Sequence, residues 1–158
     1  MGITVRAIDL GIPEELESAL RLVGHVFDIF EAPEYPPEGV AGFHAFITPE
    51  ACRPALEQGS YKMWVAVEER EIVGVIAIRA SNHISLFFVD ERHHRQGIGR
   101  MLLGAACAHA LGEKRDFLTV FSSPYAVPIY ERLGFVRLAE EQIIDGFRCN
   151  PMAMYIKK

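Results

Sequence analysis

Cysteine is scarce in this sequence and is not arranged in the patterns that disulfides or metal sites require. The 158 residues include only Cys52, Cys107 and Cys149, which lie far apart. An odd number of widely spaced cysteines, with no Cys-x-x-Cys pair, argues against a disulfide framework and against a cysteine-based zinc site. We therefore expect a reducing, cytoplasmic location and no bound metal.

An excess of basic residues and a long apolar run are also missing. The chain carries 16 Lys and Arg against 21 Asp and Glu, a formal net charge of −5. Nucleic-acid binding usually needs a basic stripe, so no nucleic-acid partner is expected. No stretch approaches the length of a membrane span, and Arg6 and Asp9 make the N-terminus unlike a signal peptide. The sequence thus predicts no membrane partner.

Apolar residues make up half of the chain, which suffices for one core in a domain of this length. No linker or repeat divides the chain, so residues 1–158 are predicted to form a single domain. The pattern predicts strands at 3–8, 62–68, 72–79, 83–89 and 117–121, helices at 13–30, 39–47, 97–111 and 125–133, a helix start at Thr48, and a final hairpin of 136–144 and 147–156. Three consecutive strands in the middle predict an antiparallel meander.

The turn between the strand at 83–89 and the following helix is the most informative segment. It reads Arg95-Gln96-Gly97-Ile98-Gly99-Arg100. A turn that feeds a helix N-terminus directs unpaired N–H groups at one point, and glycine lets a ligand approach the backbone. With two arginines nearby, this pattern predicts a phosphate or pyrophosphate site. A dinucleotide fingerprint would need glycine where Leu102 stands, and the P-loop pattern is absent.

The run from Ile84 to Leu103 resembles the acetyl-CoA-binding motif of the GNAT N-acetyltransferase superfamily, in which an apolar strand and a polar turn precede [QR]-x-x-G-x-[GA] and a helix. A second run, Thr119 to Phe135, is similar to the strand-plus-helix motif of that family, which ends Y-x-x-x-G-F. Both runs agree in order and spacing, and the element order agrees over nearly the whole chain. The resemblance implies an α/β (α+β) fold with a central, mixed, mostly antiparallel sheet, flanked by helices and splayed at the acetyl-CoA site.

The resemblance also implies roles for particular residues. The main chain of Phe87, Phe88 and Val89 would pair with the pantetheine arm of acetyl-CoA, and an N–H there would polarise the thioester carbonyl. Ser123 matches a position where the family often has a cofactor-contacting asparagine, and Tyr130 matches the tyrosine that commonly protonates the leaving thiolate. The pyrophosphate would be held by the backbone of the turn, namely by Arg95, Gln96, Gly97, Ile98, Gly99 and Arg100.

The sequence departs from the family pattern at two points. His94 stands at the first position of the [QR]-x-x-G-x-[GA] motif, where backbone amides are expected to do most of the holding. The glutamate base that the family often carries before Ser122 is absent, since residues 118–121 are Leu-Thr-Val-Phe. A base is wanted because an alkylammonium with a pKa near 10.4 is neutral in only about one molecule in 10³ at pH 7, a cost of about 4–5 kcal/mol.

Three sources of that base remain open. Solvent alone would serve an amine of low pKa. A water relay through His83 and Ser85 is a second source, because period two places both on one face of their strand. The third is a carboxylate among Glu31, Glu34 and Glu38. The histidine relay takes the lead, although His83 reads equally well as a structural histidine.

The resulting hypothesis is an acetyl-CoA-dependent N-acetyltransferase that acts on a small-molecule or peptide amine by direct attack in a ternary complex. No cysteine lies in either motif to act as a covalent carrier. The alternatives are a non-catalytic acyl-CoA-binding or regulatory module of the same fold, and an enzyme with another acyl-CoA. The adjacent His93 and His94 are read as solvated rather than as metal ligands. Phe27, Phe30, Phe43 and Phe46 are assigned mostly to the core, with some lining the acceptor pocket, and a homodimer is plausible from the family.

Overall fold

The structure is a computed structural model that describes residues 2–157. Met1 and Lys158, which the predicted domain includes, lie outside the described residues. The strands are β1 (Thr4–Ala7), β2 (Tyr61–Glu68), β3 (Glu71–Arg79), β4 (His83–Val89), β5 (Phe117–Ser122), β6 (Val136–Arg137), β7 (Gln142–Ile144) and β8 (Phe147–Tyr155). The helices are α1 (Glu15–Phe30), α2 (Pro37–Phe46), α3 (Pro49–Gln58), α4 (Ile98–Gly112) and α5 (Val127–Leu133).

The strands form one mixed sheet in the order β1-β2-β3-β4-β5-β8-β6, with β7 also paired to β8. Every pairing is antiparallel except that of β4 with β5. The parallel pairing joins only His83 to Thr119 and Ile84 to Val120, after which the two strands separate. The α/β class, the mostly antiparallel sheet and its splay beside β4 are therefore confirmed.

Helices cover both faces of the sheet and produce two cores. On one face, α4 and α5 pack over residues such as Ile76, Leu118 and Met152. On the other, α1 buries Leu16, Leu20, Val23 and Phe27 against β2, β3 and β4, and α2 and α3 complete the layer. Helix α4 lies close to β3 because Gly74 has no side chain; a Cβ there would lie 2.9 Å from Cδ1 of Leu102.

A β-bulge interrupts β4 in the middle of the sheet. The register with β3 shifts between Ala77 and Ile78, which pair with Leu86 and Ile84 and leave Ser85 without a partner across the strand pair. Ile84 packs in the α4 core and Leu86 in the α1 core, although they are two residues apart. The alternation of side chains along β4 therefore shifts by one at Ser85.

The end signals in the sequence predict several local structures correctly. Thr48 caps α3 by accepting a hydrogen bond from the Ala51 N–H, and Gly134 ends α5 with φ 111°. Asp145 and Gly146 both have positive φ and form the predicted hairpin turn between β7 and β8. None of the described helices is long and apolar enough to span a membrane.

The prediction of a single strand at 136–144 is wrong, because this segment contains two short strands, β6 and β7. The N–H of Leu138 donates to the carbonyl oxygen of Pro151 in β8. In an antiparallel strand the N–H and C=O of one residue point to the same side, and Pro151 has no N–H to return a bond. The ladder along β8 is therefore broken between β6 and β7.

Candidate active site

A cleft of about 760 Å³ opens where β4 and β5 separate. Its walls come from the end of β4, the turn and first residues of α4, the end of β5, helix α5, and the segment from α1 to α2. The hairpin of β7 and β8 closes one side through Ile144, Asp145 and Phe147. Both sequence motifs therefore line the cleft, and segments of the chain outside those motifs line it as well.

The predicted pyrophosphate turn lies at one end of this cleft. Gly97 adopts the left-handed conformation, with φ 80°, and precedes the first residue of α4. A Cβ on Gly99 would lie 3.6 Å from the ring of Phe87, and the first N–H groups of α4 have no partner within the helix. Arg95, Gly97, Ile98, Gly99 and Arg100 all line the cleft, whereas Gln96 is exposed and is not among the lining residues.

Charged side chains hold this turn in place. The Asp90 carboxylate accepts hydrogen bonds from the backbone N–H and the guanidinium of Arg92, which lower its pKa to about 2. Nε2 of His94 lies 2.9 Å from the Val89 carbonyl oxygen and donates to it when it carries the proton. His94, the departure from the family pattern, thus ties the turn to the end of β4.

The last residues of β4 form the edge of the cleft that faces away from β3. Phe87, Phe88 and Val89 all line the cleft. The ring of Phe87 lies toward Tyr130, with centroids 6.0 Å apart, and that of Phe88 lies toward Phe43 at the same distance. Since no described residue of β5 pairs with β4 beyond Ile84, this strand edge is open to a ligand. One acceptor position on the Val89 carbonyl is already used by His94.

Tyr130 lies deep in the cleft wall, on α5. Only 7% of its surface is exposed, and its ring packs against Phe135 with centroids 5.1 Å apart. Burial, followed by the negative charge of Glu31, raises the pKa of the phenol above its ordinary value. The hydroxyl therefore stays protonated at neutral pH and can act as a proton donor.

Ser123 is buried where β5 leads into α5. Its hydroxyl oxygen accepts a hydrogen bond from the N–H of Ala126, so the side chain shapes the turn before α5. The same hydroxyl lies beside the Glu31 carboxylate and partly stabilises its charge. Ser123 also lines the cleft, where the sequence analysis puts a cofactor contact.

His83 and Ser85 have separate hydrogen-bond partners in the structure. Nδ1 of His83 lies 2.8 Å from the Thr119 hydroxyl, and burial, with the positive charge of Arg79, lowers the pKa of His83 to about 4. The Ser85 hydroxyl instead accepts a hydrogen bond from the Tyr61 hydroxyl at 3.0 Å. Within residues 2–157 no hydrogen bond joins the two side chains, and Ser85 lines the cleft while His83 does not.

Glu31 is the carboxylate that the sequence analysis includes among three candidates and that the structure singles out. It follows the last residue of α1, is half-buried and lines the cleft. Burial, with the like charge of Glu34, raises its pKa to about 7 against the opposing effect of the Ser123 hydroxyl. The Glu34 carboxylate already accepts a hydrogen bond from the Tyr125 N–H at 3.0 Å. Glu38 is exposed and does not line the cleft.

Several aromatic rings line the cleft together with Glu31. The ring of Phe30 stacks on His94 at 5.5 Å and on Tyr125 at 5.2 Å, and Tyr35 meets Phe147 edge-on at 4.9 Å. Of the four phenylalanines that sequence analysis assigned to core or pocket, all line the cleft, and Phe27 is also fully buried. We call five lining residues the aromatic wall: Phe30, Tyr35, Phe43, Tyr125 and Phe147. Sequence reasoning missed Tyr35, Tyr125 and Phe147, because no local pattern marks them.

The two adjacent histidines of the turn have separate protein partners. His93 lies with Nε2 3.0 Å from a carboxylate oxygen of Glu68, whereas His94 contacts the Val89 carbonyl. Over the part of the chain that the structure describes, no group of three His, Cys, Asp or Glu residues is arranged to hold a metal ion.

Comparisons with known proteins agree with this geometry. The family model for the acetyltransferase (GNAT) domain matches residues 31–156. A curated relative, "Uncharacterized N-acetyltransferase YafP" of Escherichia coli (strain K12), is 32% identical over 82 residues, which are 52% of this chain and 51% of the relative. The match thus spans about half the length of that curated relative.

Solved structures show the same fold. The PaiA N-acetyltransferase of Thermoplasma acidophilum in complex with coenzyme A superposes with a TM-score of 0.78 at 16% identity, over 98% of this chain and 99% of that chain. A GCN5-related N-acetyltransferase of Rhodopseudomonas palustris superposes with a TM-score of 0.77 at 16% identity, over 98% and 96% of the two chains. Since the family model covers most of the sequence, this chain belongs to the GNAT acetyltransferase family.

Proposed function

We propose that this protein transfers an acetyl group from acetyl-CoA to the amine of a small acceptor by direct attack within a ternary complex. The observation that carries the proposal is the cleft between β4 and β5, which combines an anion-binding helix N-terminus, an open strand edge, and a buried phenol and carboxylate. These features meet in one place although the chain supplies them from four separate segments. This combination favours catalysis over simple binding of an acyl-CoA.

The residues of the cleft fit the parts of acetyl-CoA. The unpaired N–H groups at the start of α4, with Arg95 and Arg100, suit the pyrophosphate. The open edge of β4 at Phe87 and Phe88 suits the two amides of the pantetheine arm, which can pair as a strand would. Bound acetyl-CoA supplies the thioester carbonyl that the amine attacks and the thiolate that leaves.

Two protein groups assist at the carbonyl and the sulfur. A main-chain N–H from the end of β4 stabilises the negative charge that develops on the carbonyl oxygen, a contribution of about 3–4 kcal/mol in a well-formed site. Tyr130, which is protonated at neutral pH, donates its proton to the sulfur as the C–S bond breaks. The absence of a cysteine from both motifs agrees with direct attack rather than a covalent enzyme intermediate.

Glu31 is proposed as the base that removes the proton from the amine. A carboxylate with a pKa of about 7 is well matched to accept a proton near neutral pH. His83 is a weak base, because its pKa is lowered to about 4, and it does not line the cleft. The relay through His83 and Ser85 therefore gives way to Glu31 in this proposal.

The experiment that tests the function measures free thiol release from acetyl-CoA with a panel of primary amines and identifies the acetylated product by mass. We expect one acetylated amine for each thiol, and no acetylated protein when the amine is left out. Tyr130→Phe provides a matched low-activity control. A protein that binds acetyl-CoA but releases no thiol above background with any amine would instead be the non-catalytic binding module.

A cytoplasmic location belongs to the same proposal. Cys52, Cys107 and Cys149 are all free in the structure, and two of them are buried. Free cysteines are typical of proteins kept in a reducing compartment, where acetyl-CoA is also made and used.

A further inference from the structure

The acceptor side of the cleft combines one carboxylate with several aromatic rings. Resting on the acetyl transfer proposed above, we infer that the acceptor is a small monoamine whose amino group is attached to an aromatic or similarly large apolar group. Its ammonium would lie against Glu31, and its apolar group against the aromatic wall. Three features of the described residues support this acceptor: the Glu31 carboxylate, which has no ion-pair partner, the aromatic wall beside it, and the contact between Tyr35 and Phe147.

The first feature is an uncompensated negative charge inside the cleft. None of the ion pairs among residues 2–157 involves Glu31. The groups that face it are the Ser123 hydroxyl, the Glu34 carboxylate and the phenols of Tyr35, Tyr125 and Tyr130. None of these groups is a cation, so a bound ammonium would supply the missing counter-charge. An acidic acceptor would meet like charge at the same place.

The second feature is the set of ring surfaces around this charge. Each residue of the aromatic wall is half-buried and lines the cleft. The Phe30 ring forms stacked pairs with His94 and with Tyr125, so flat groups already pack against one another at this wall. An aromatic acceptor gains from stacking on such rings, and an ammonium gains from their faces.

The third feature is a contact that bridges the acceptor side of the cleft, between the segment after α1 and the hairpin of β7 and β8. Tyr35 meets Phe147 of the hairpin edge-on, and the Tyr35 hydroxyl lies 3.5 Å from the Arg148 carbonyl oxygen. Contact between these two segments disfavours a long peptide or a folded protein as acceptor. A polyamine would need further carboxylates, and the other acidic residue that lines the cleft, Asp145, is exposed at the hairpin turn.

The test compares four acceptors at fixed acetyl-CoA: 2-phenylethylamine, ethylamine, 1,4-diaminobutane and a tripeptide with a free N-terminus. We expect kcat/KM for 2-phenylethylamine to be at least about tenfold higher than for the other three. A preference for the diamine or the tripeptide overturns the acceptor class and leaves the acetyl transfer standing. No thiol release with any amine rejects the acetyl transfer, and the binding measurement below then decides the acceptor class.

Binding separates these two failures. We expect 2-phenylethylamine to bind the complex of the protein with coenzyme A more tightly than 2-phenylethanol, which has the same ring without the charge. Glu31→Gln should remove that preference. Selective amine binding without turnover would keep the acceptor class and reject the transfer, while equal binding of amine and alcohol would contradict the acceptor class.

Two matched aromatic substitutions check the wall. Phe30→Ala should raise KM for 2-phenylethylamine by about fivefold or more, a larger loss than the same substitution causes for ethylamine, whereas the control variant below should change neither amine's kcat/KM by more than about twofold. Phe117→Ala is the control, because Phe117 is a 47% exposed ring on β5 that does not line the cleft. An equal loss for both amines in Phe30→Ala would mean that Phe30 supports the fold rather than the acceptor.

Discussion

The two walls of the cleft are built in different ways. The turn wall, from Arg95 to Arg100, comes from adjacent residues, is rich in positive charge and uses backbone N–H groups. The aromatic wall comes from residues far apart in the sequence, lies beside the Glu31 carboxylate and is made of side chains. In the proposed reaction, the wall that binds the acetyl donor is thus separate from the wall that recognises the acceptor. In the proposed function, a local motif would hold the cofactor, and contacts between segments distant in the sequence would select the acceptor.

The largest effect should follow from loss of the Tyr130 hydroxyl, which lies between the two walls. Tyr130→Phe keeps the ring packed against Phe87 and Phe135 but removes the proposed proton donor. We expect kcat to fall about 10²–10⁴-fold. Calorimetry should find the dissociation constant of acetyl-CoA nearly unchanged. Full turnover by the Phe variant would remove Tyr130 from the chemistry.

A smaller effect should follow from a charge placed in the turn wall. Gly99→Glu puts a carboxylate beside the N–H groups that would hold the pyrophosphate, so acetyl-CoA should bind at least about tenfold more weakly. Gly104→Glu is the matched control on the same helix, since a Cβ at Gly104 meets no atom within 4 Å. Equal affinity in the two folded variants, measured by calorimetry, would show that pyrophosphate binds elsewhere.

The smallest effect is expected at His83, to which sequence analysis gave the lead as base. With its pKa lowered to about 4, His83 is neutral throughout the neutral range and cannot produce a limb near pH 6.5. His83→Ala should therefore leave the shape of the kcat/KM profile unchanged and alter the rate by less than about threefold. A lost limb in that variant would restore the histidine relay and weaken the assignment of Glu31.

The sequence predicts the turn wall well because its causes are local. The glycines, the helix start and the preceding apolar strand are neighbours in the chain, and β4 has the predicted bounds, His83–Val89. The hairpin turn at Asp145 and Gly146 and the end of α5 at Gly134 are predicted for the same reason. Each of these signals reflects what a few adjacent residues can do.

The rest of the site could not be predicted because it depends on contacts between distant residues. The hydrogen bond from the Tyr125 N–H to Glu34 joins positions 91 residues apart, and it helps to leave Glu31 as the free carboxylate of the cleft. The bulge at Ser85 depends on the register with β3, so strict alternation misdescribes β4. The break between β6 and β7 depends on Pro151 in the neighbouring strand.

We expect the raised pKa of Glu31 to destabilise the folded protein, and the direction in which the free energy of unfolding changes with pH can be measured. Its pKa is about 7 in the folded protein and near 4.5 when exposed, so the folded state binds more protons between these values. The free energy of unfolding therefore falls as pH rises from about 4.5 to about 7, and the cost stays in place above that range. At pH 8 the cost reaches up to about 3 kcal/mol, because one pKa unit is about 1.4 kcal/mol.

The most direct test of the account measures thermal unfolding and turnover of Glu31→Gln at pH 5 and at pH 8. We expect the variant to melt several degrees above the parent at pH 8 and close to it at pH 5. We also expect kcat/KM to fall at least about tenfold and its pH profile to lose the limb near pH 7. A variant that is inactive because it is also less stable at pH 8, or one that keeps the parental rate and pH profile, would contradict Glu31 as the base.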